Sequence, residues 1–109
     1  MGEFEIYKDK KGEFRFRLNA GNGQSILVSN GYTTKSSCIK GVESVRSNST
    51  DNSKYELFKS KNGTLYFNLK AGNNQIIGTS EMYSSSSAMQ NGINSVKINA
   101  PKASVNYLS

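Results

Sequence analysis

Three neighbouring side chains, Ser37, Cys38 and Lys40, have the chemistry that covalent catalysis uses. A cysteine thiolate is a nucleophile, and the spacing Ser37-x-x-Lys40 matches the S-x-x-K pattern of serine enzymes that transfer acyl groups. The S-D-N and K-T-G motifs that accompany that pattern are missing, and the chain has no histidine. Its eight carboxylates form no pair whose spacing suggests acid and base roles. We therefore expect that the protein is not an enzyme.

Metal and cofactor sites are not predicted either. The chain offers neither histidine nor a cysteine cluster, and its acidic residues are scattered rather than arranged as an oxygen-rich loop. The segment Gly21-Asn22-Gly23 has the composition of a phosphate loop, but it joins two predicted strands, whereas phosphate loops precede a helix. We interpret it as a turn and expect no metal and no cofactor.

The formal charge of +6 favours a binding role with an anionic partner, either an acidic protein or a nucleic acid. Basic and aromatic residues share the predicted outer face of the sheet, where they could stack and pair with single-stranded nucleic acid. These residues are Tyr7, Arg15, Arg17, Phe58, Tyr66 and Lys70. Glu5 and Glu56 interrupt that face, so a solvated sheet surface with no ligand is the alternative interpretation.

A second candidate site lies in the two loops that precede the predicted helices, where Tyr32 and Tyr83 occupy matched places. Amide groups at a helix amino end attract phosphate or carboxylate groups, and nearby hydroxyls could assist them. The alternative is that the tyrosines close each helix over the sheet and that the hydroxyls cap the helix.

All these candidates belong to a unit that is written twice, because residues 4–49 recur as 55–100 with roughly 18 of 46 positions identical. The second copy replaces the residues suited to catalysis: Met89 stands for Cys38, Ala88 for Ser37 and Asn91 for Lys40. A unit of about 46 residues is marginal alone, so we expect that both copies share one core. The predicted domain spans 1–109, with a tail at 101–109.

Alternation of apolar and polar residues predicts three strands at the start of each copy. A turn with left-handed Gly12 sets the register of the first hairpin, and Gly63 sets that of the second. The predicted opposite pairs are Phe4 with Leu18, Ile6 with Phe16, Lys8 with Phe14, Glu5 with Arg17, Tyr7 with Arg15, Tyr55 with Leu69, and Leu57 with Phe67. We expect an ion pair between Glu5 and Arg17 and a cation-π contact between Tyr7 and Arg15.

Helical periodicity follows the third strand of each copy, with apolar residues at i, i+4 and i+7. The two apolar stripes are Cys38, Val42 and Val45, and Met89, Ile93 and Val96. Thr33 or Thr34, and Ser84 or Ser85, are the predicted caps. Gly41 and Gly92 interrupt the helices at equivalent points, which indicates close packing of the backbone against the sheet. Shared ancestry of the two copies without strong selection is the alternative.

These patterns resemble the YegP-like family: a K-x-G hairpin turn, F-x-L-x-A-G-N-x-Q, S-x-x-Y, and a helix containing G-[VI]-x-S-V-[RK]. The resemblance covers nearly the whole chain. It implies an α+β fold in which two tandem β-β-β-α repeats share one continuous antiparallel sheet, with the two helices packed on it. It also implies that the segment after a helix supplies an exchanged strand, here Ala103 to Leu108, and it brings no biochemical activity.

The remaining expectations concern assembly and location. Two repeats in one chain should provide what single-repeat relatives obtain by dimerising, so the resemblance favours a monomer. No apolar run approaches the length of a membrane span, and the start of the chain has no secretory or lipidation signal. A single cysteine excludes an internal disulfide. We expect a bacterial cytoplasmic protein.

Overall fold

The computed structural model describes residues 2–108 as seven strands and two helices. The strands are β1 (Glu3–Lys8), β2 (Phe14–Asn19), β3 (Ser25–Val28), β4 (Tyr55–Lys59), β5 (Leu65–Lys70), β6 (Ile76–Thr79) and β7 (Ser104–Tyr107). The helices are α1 (Lys35–Asn48) and α2 (Ser86–Asn99), and each is followed by a short 3-10 turn, Asn52–Lys54 and Ala100–Lys102 respectively. Each copy therefore has the predicted order of three strands and a helix.

All seven strands form one sheet in the order β4-β5-β6-β3-β2-β1-β7. Both helices contribute to a single buried cluster on one face of this sheet, which we call the inner face. The predicted α+β fold with two repeats on a shared sheet is confirmed. One detail differs, because β7 runs parallel to β1, so the sheet is mixed rather than wholly antiparallel.

The predicted hairpin registers are confirmed in both copies. Phe4 lies opposite Leu18 in the first hairpin, and Tyr55 lies opposite Leu69 in the second. Gly12 and Gly63 have φ angles of 86° and 88°, the left-handed conformation that a three-residue turn requires. The next turn of the second copy places Asn74 at φ 68°, since asparagine tolerates this region better than most residues.

The inner face of the sheet and the apolar stripes of the helices form the core. Phe4, Phe16 and Phe67 are fully buried, and the stripe residues of both helices pack against them. Thr34 and Ser85 are the caps, since their side-chain oxygens accept hydrogen bonds from the amides of Ser37 and Ala88. The helical period of the sequence therefore located both helices and their starts.

The two copies meet where β3 pairs with β6, with Val28 opposite Thr79. Here the repeat is not symmetric, because Leu27 of the first copy corresponds to Gly78 of the second. Leu27 is fully buried, and a Cβ atom built on Gly78 would lie 2.6 Å from the Leu27 Cγ. One large side chain thus fills the space between the copies, and glycine makes room for it.

The tail strand β7 closes the first copy. Phe4 of β1 lies opposite Val105, and the amide of Leu108 donates to the carbonyl oxygen of Ile6 at 2.8 Å. Arg46 of α1 donates to the carbonyl oxygen of Pro101 at 3.3 Å, which holds the chain as it enters the strand. The segment after the second helix therefore completes the first copy, as the predicted exchange between repeats requires.

Candidate functional site

The sheet face opposite the helices, called the outer face here, carries the predicted binding residues of β1, β2, β4 and β5. Alternation along each strand places them there, because neighbouring residues such as Phe16 and Arg17 point to opposite faces. On the first copy these side chains line an open depression of about 660 Å³, together with the turn between β2 and β3. Its lining includes Glu5, Tyr7, Arg17 and Asn19.

Arg17 organises the first-copy part of the outer face. Its Nε donates to the Glu5 carboxylate at 2.6 Å, as the register predicted, and Asn19 donates to the same oxygen at 2.9 Å. The Arg17 guanidinium also lies 4.7 Å from the centre of the Tyr7 ring. The cation-π partner of Tyr7 is therefore Arg17, and the prediction of Arg15 in this role was wrong.

Arg15 lies elsewhere because Asp9 attracts it. Its Nε donates to the Asp9 carboxylate at 2.7 Å, and the other carboxylate oxygen accepts the amides of Lys11 and Glu13 in the turn. The hydrogen bond from Arg15, with those from the two amides, holds the pKa of Asp9 below its ordinary value. The turn amides and Arg15 thus hold the Asp9 carboxylate at the hairpin turn.

The second copy repeats this arrangement with different residues. Phe58 and Tyr66 stack with ring centres 5.1 Å apart and planes at 18°, and Lys70 pairs with Glu56 at 2.9 Å. Each of the three predicted cations on the outer face therefore contacts a carboxylate of the same chain. Their positive charge is largely neutralised locally, and the aromatic residues are already in contact with partners.

The two clusters do not form one continuous platform. β3 and β6 lie between β2 and β5, so three strand spacings separate the clusters, about 14 Å. Five successive antiparallel pairings also make β1 and β4 run in opposite directions, so the lysine-rich hairpin tips lie at opposite ends of the sheet. The positive charge of the chain is therefore divided between two separate regions.

The ion pair of Glu5 predicts a component of acid sensitivity. Hydrogen bonds from Arg17, and then from Asn19, lower the pKa of Glu5. Since the folded state favours the ionised form, this contribution is present above the unfolded pKa of about 4.3 and is lost as the pH falls through the lowered folded value. We expect the free energy of unfolding to fall less between pH 7 and pH 3 in Glu5→Gln than in the parent.

Urea unfolding at both pH values measures this difference. Arg17→Gln is the matched control, because it removes the partner and should reduce the same pH-dependent component. An unchanged difference between pH 7 and pH 3 in both variants would show that the pair contributes nothing to acid sensitivity.

The loop tyrosines lie on the inner face, away from the other predicted binding residues. Tyr32 exchanges two backbone hydrogen bonds of 2.7 Å with Phe14, and Tyr83 exchanges equivalent bonds with Leu65. The Tyr83 ring stacks on Phe67 at 6.4 Å, and burial raises the pKa of both tyrosines. These contacts favour the interpretation that the tyrosines close the helices over the sheet.

The helix glycines explain why both tyrosines are repeated. A Cβ at Gly92 would collide with the Tyr83 hydroxyl and would lie 2.6 Å from Cζ, and a Cβ at Gly41 would lie 2.9 Å from Cζ of Tyr32. Each glycine therefore leaves the space in which a tyrosine ring end lies. The repetition of Gly41 as Gly92 and of Tyr32 as Tyr83 is visible in the sequence, but the contact between each glycine and its tyrosine is not.

Two of the three residues suited to catalysis, Cys38 and Ser37, have structural roles. Cys38 is fully buried, and burial raises the pKa of its thiol to about 11, so it is protonated at neutral pH. The Ser37 hydroxyl accepts a hydrogen bond from Thr34 within the helix cap. Across residues 2–108, no group of three or more potential metal ligands occurs. Neither helix in this range is long and apolar enough to cross a membrane.

Comparisons with known proteins extend this picture. The model of a family described as a domain of unknown function (DUF1508) matches residues 9–56 and 60–106. A UPF0339 protein from the ptx operon 5′ region of Stutzerimonas stutzeri is 56% identical over 104 residues, 95% of this chain and 94% of its own length. YegP of Escherichia coli K12 is 50% identical over the same shares of the two chains.

Two solution NMR structures have the same fold. A UPF0339 protein from Shewanella oneidensis aligns with a TM-score of 0.93, and YegP from E. coli aligns with 0.94. Both are 48% identical to this chain and cover 98% of it, and the alignments span 91% and 92% of the two structures. The resemblance inferred from the motifs is thus confirmed, and the names of these proteins state no activity.

Proposed function

The chain belongs to the DUF1508 family, whose function is unknown, and we propose that it is a non-enzymatic binding module whose contact surface is the outer face of the sheet. One observation carries the proposal: both helices lie on the inner face, so the outer face carries aromatic and charged side chains that neither α1 nor α2 covers. Aromatic residues and arginine are the side chains that protein interfaces favour. A macromolecular partner with complementary charge is the best match to this surface.

Single-stranded nucleic acid is the second candidate partner. The stacked pair Phe58 and Tyr66 and the net charge of +6 favour it. Against it, the predicted cations pair with carboxylates, and the outer-face residues of β2 lie about 14 Å from those of β5. We therefore rank a protein partner ahead of nucleic acid.

Affinity capture from a bacterial lysate, with and without nuclease, tests the proposal. We expect the parent chain to retain a nuclease-resistant partner, and the outer-face variant Tyr7→Ser with Phe58→Ser to lose at least about tenfold of it, since aromatic contacts of this kind contribute more than about 1 kcal/mol each. Lys40→Ser, on the exposed side of α1, is the matched control and should retain the partner.

Three outcomes would contradict the proposal in distinct ways. Capture of nothing by the parent chain would contradict a binding module. Retention of the partner by the outer-face variant would exclude this surface. A nuclease-sensitive partner would favour nucleic acid, and titration of a labelled oligo-dT at low and high salt would then check it, since phosphate contacts weaken as salt rises.

We propose further that the protein acts as a cytoplasmic monomer. Its single thiol is buried and unpaired with any other cysteine, which suits a reducing compartment. The tail completes the sheet within the same chain, so the fold requires no second copy. Sedimentation equilibrium of the purified chain checks the monomer.

A further inference from the structure

The two ends of the sheet differ, although the strands that form them are repeats of each other. β7 covers the outer edge of β1, whereas β4 is the terminal strand at the other end of the sheet over residues 2–108. The effect on equivalent side chains is large, because Ile6 of β1 is 2% exposed and Leu57 of β4 is 54% exposed. An uncovered strand edge with an exposed apolar residue is suited to pairing with another strand.

A groove of about 360 Å³ accompanies this open edge. Side chains of β4 and α2 line it, with Tyr55 and Leu57 on one side and Ile93 and Lys97 on the other. Asn52 and Gln90 complete the lining. The groove therefore has apolar side chains beside the outer edge of β4. The Tyr55 amide donates to the carbonyl oxygen of Asn52, and beyond that amide no strand within residues 2–108 pairs with this edge.

The first copy shows what covers such an edge. There Arg46 corresponds to Lys97 and Phe4 corresponds to Tyr55. Arg46 lies 5.3 Å above the Phe4 ring and donates to the carbonyl oxygens of Ala100 and Pro101, which lead into β7. The side chain thus stacks on the strand and holds the backbone of the strand that is added beside it.

Lys97 occupies the same position at the open edge. Its ammonium group lies 5.8 Å from the centre of the Tyr55 ring and contacts the side-chain oxygen of Asn52. Lys97 therefore places its charge over Tyr55, as Arg46 places its charge over Phe4. Its hydrogen-bond partner is the side chain of Asn52, whereas Arg46 donates to the backbone that leads into β7.

We propose that the outer edge of β4 binds an extended segment of a partner protein as an added parallel strand, with Lys97 donating to its backbone carbonyls. In the pairing of β1 with β7, Val105 lies opposite Phe4 and Tyr107 opposite Ile6. A bound segment would accordingly place an aliphatic residue opposite Tyr55 and an aromatic residue opposite Leu57. Addition of a strand to a sheet edge is a common mode of peptide recognition.

The charge of β4 and its turn favours a particular residue type at the carboxyl end of the bound segment. A strand parallel to β4 finishes beside the turn that follows Lys59, where Lys59 and Lys61 are both exposed. An acidic residue or a free carboxyl group at that end of the segment would complement these cations. The preferred ligand is therefore an alternating apolar segment that ends in negative charge.

A second copy of this chain fits the edge less well. Its own tail is already paired with β1, so it has no free segment of the β7 kind to offer. Two β4 strands related by a two-fold axis would also pair antiparallel, unlike the parallel geometry of the covered edge. This site lies on the strand edge rather than the outer face, so the failure of one proposal leaves the other intact.

Titration with a synthetic peptide that copies residues 100–109, monitored by amide NMR of the labelled chain, tests the site. We expect weak binding, with shifts at Glu56–Lys59 and along α2 near Lys97 that exceed those at β1, where the tethered tail competes at an effective concentration in the millimolar range. Replacing the peptide's carboxyl end with an amide should weaken binding. A spin label at the peptide's amino end should broaden Asn52–Lys54 rather than Lys61, which reports the parallel direction.

Leu57→Lys is the test variant, since its side chain is more than half exposed and its loss should leave the fold intact. We expect at least a tenfold loss of affinity. Ile98→Thr is the matched control. Ile98 of α2 is an apolar residue that is 73% exposed, more than Leu57, and it does not line the groove. Lys97→Gln should also weaken binding.

Four results would overturn the proposal. These are no shift at β4 with millimolar peptide, shifts confined to β1, equal binding by Leu57→Lys, or dimerisation of the chain that Leu57→Lys abolishes. The second result would assign the effect to exchange of the tail, and the last would assign the edge to a second copy.

Discussion

Exchanging the residues at positions 27 and 78 is expected to restore much of the stability that either single substitution removes. Leu27→Gly leaves a cavity between the copies and should lower the free energy of unfolding by about 3 to 5 kcal/mol. Gly78→Leu places a second large side chain where the Leu27 Cγ already lies 2.6 Å from a Cβ position, and should lower it by about 2 to 3 kcal/mol. In the double variant one leucine again fills the space.

Urea unfolding of the four proteins gives the coupling between the two positions. We expect the double variant to be more stable than the sum of the single effects predicts by at least about 2 kcal/mol, since the residues are in direct contact. Additive effects would mean that the two positions do not share one space. Ile6→Ala, at a buried position on β1, which β2 separates from β3, provides a control for the cost of an ordinary core truncation.

This position shows what a duplicated sequence does and does not reveal. Residues kept in both copies, such as Gly41 with Gly92 and Tyr32 with Tyr83, are those that each copy needs for itself. Residues at the junction of the copies face their own counterparts, so identity there would place two equal side chains in one space. Leu27 and Gly78 therefore differ because they meet, and the sequence alignment alone presents that difference as ordinary divergence.

Much of the fold followed from the sequence because local patterns determine it. Period-two alternation, the turn glycines Gly12 and Gly63, and the helical stripes each act over a few residues, so strands, register and caps could be predicted. The order of the strands and the parallel direction of β7 depend on contacts between distant segments. The resemblance to a family supplied the exchange of the tail, and the three-dimensional structure supplied its direction.

The candidate surface was predicted less completely. Alternation correctly placed Arg15 and Arg17 on one face, but it could not show which carboxylate each would reach. Asp9 lies at the start of a turn whose amides orient its carboxylate, and this orientation draws Arg15 away from Tyr7. The exposure of Leu57 could not be predicted, because Leu57 and the equivalent Ile6 stand in the same alternating sequence pattern. They differ in exposure because β7 pairs with β1, whereas no strand within residues 2–108 pairs with the outer edge of β4.

Gly92→Ala is expected to destabilise the protein, although alanine is the better helix former. In an ordinary helix interior this substitution would raise the free energy of unfolding by about 1 kcal/mol. Here the new methyl group would meet the Tyr83 hydroxyl and the ring carbon Cζ, and Tyr83 is held by its backbone pairing with Leu65 and its stacking on Phe67. We expect a net loss of about 1 to 3 kcal/mol, because displacement of a packed ring outweighs the gain in helix propensity.

Urea unfolding measures whether Gly92→Ala lowers or raises the free energy of unfolding, and the sign of that change decides the prediction. Tyr83→Phe removes the atom nearest to the new methyl group, so Gly92→Ala should cost less in the Tyr83→Phe background than in the parent. Asn94→Ala, on the exposed side of the same helix, is the control and should be neutral or slightly stabilising. A Gly92→Ala variant that is more stable than the parent would contradict the close packing of tyrosine and glycine, and Gly41→Ala with Tyr32→Phe repeats the test in the first copy.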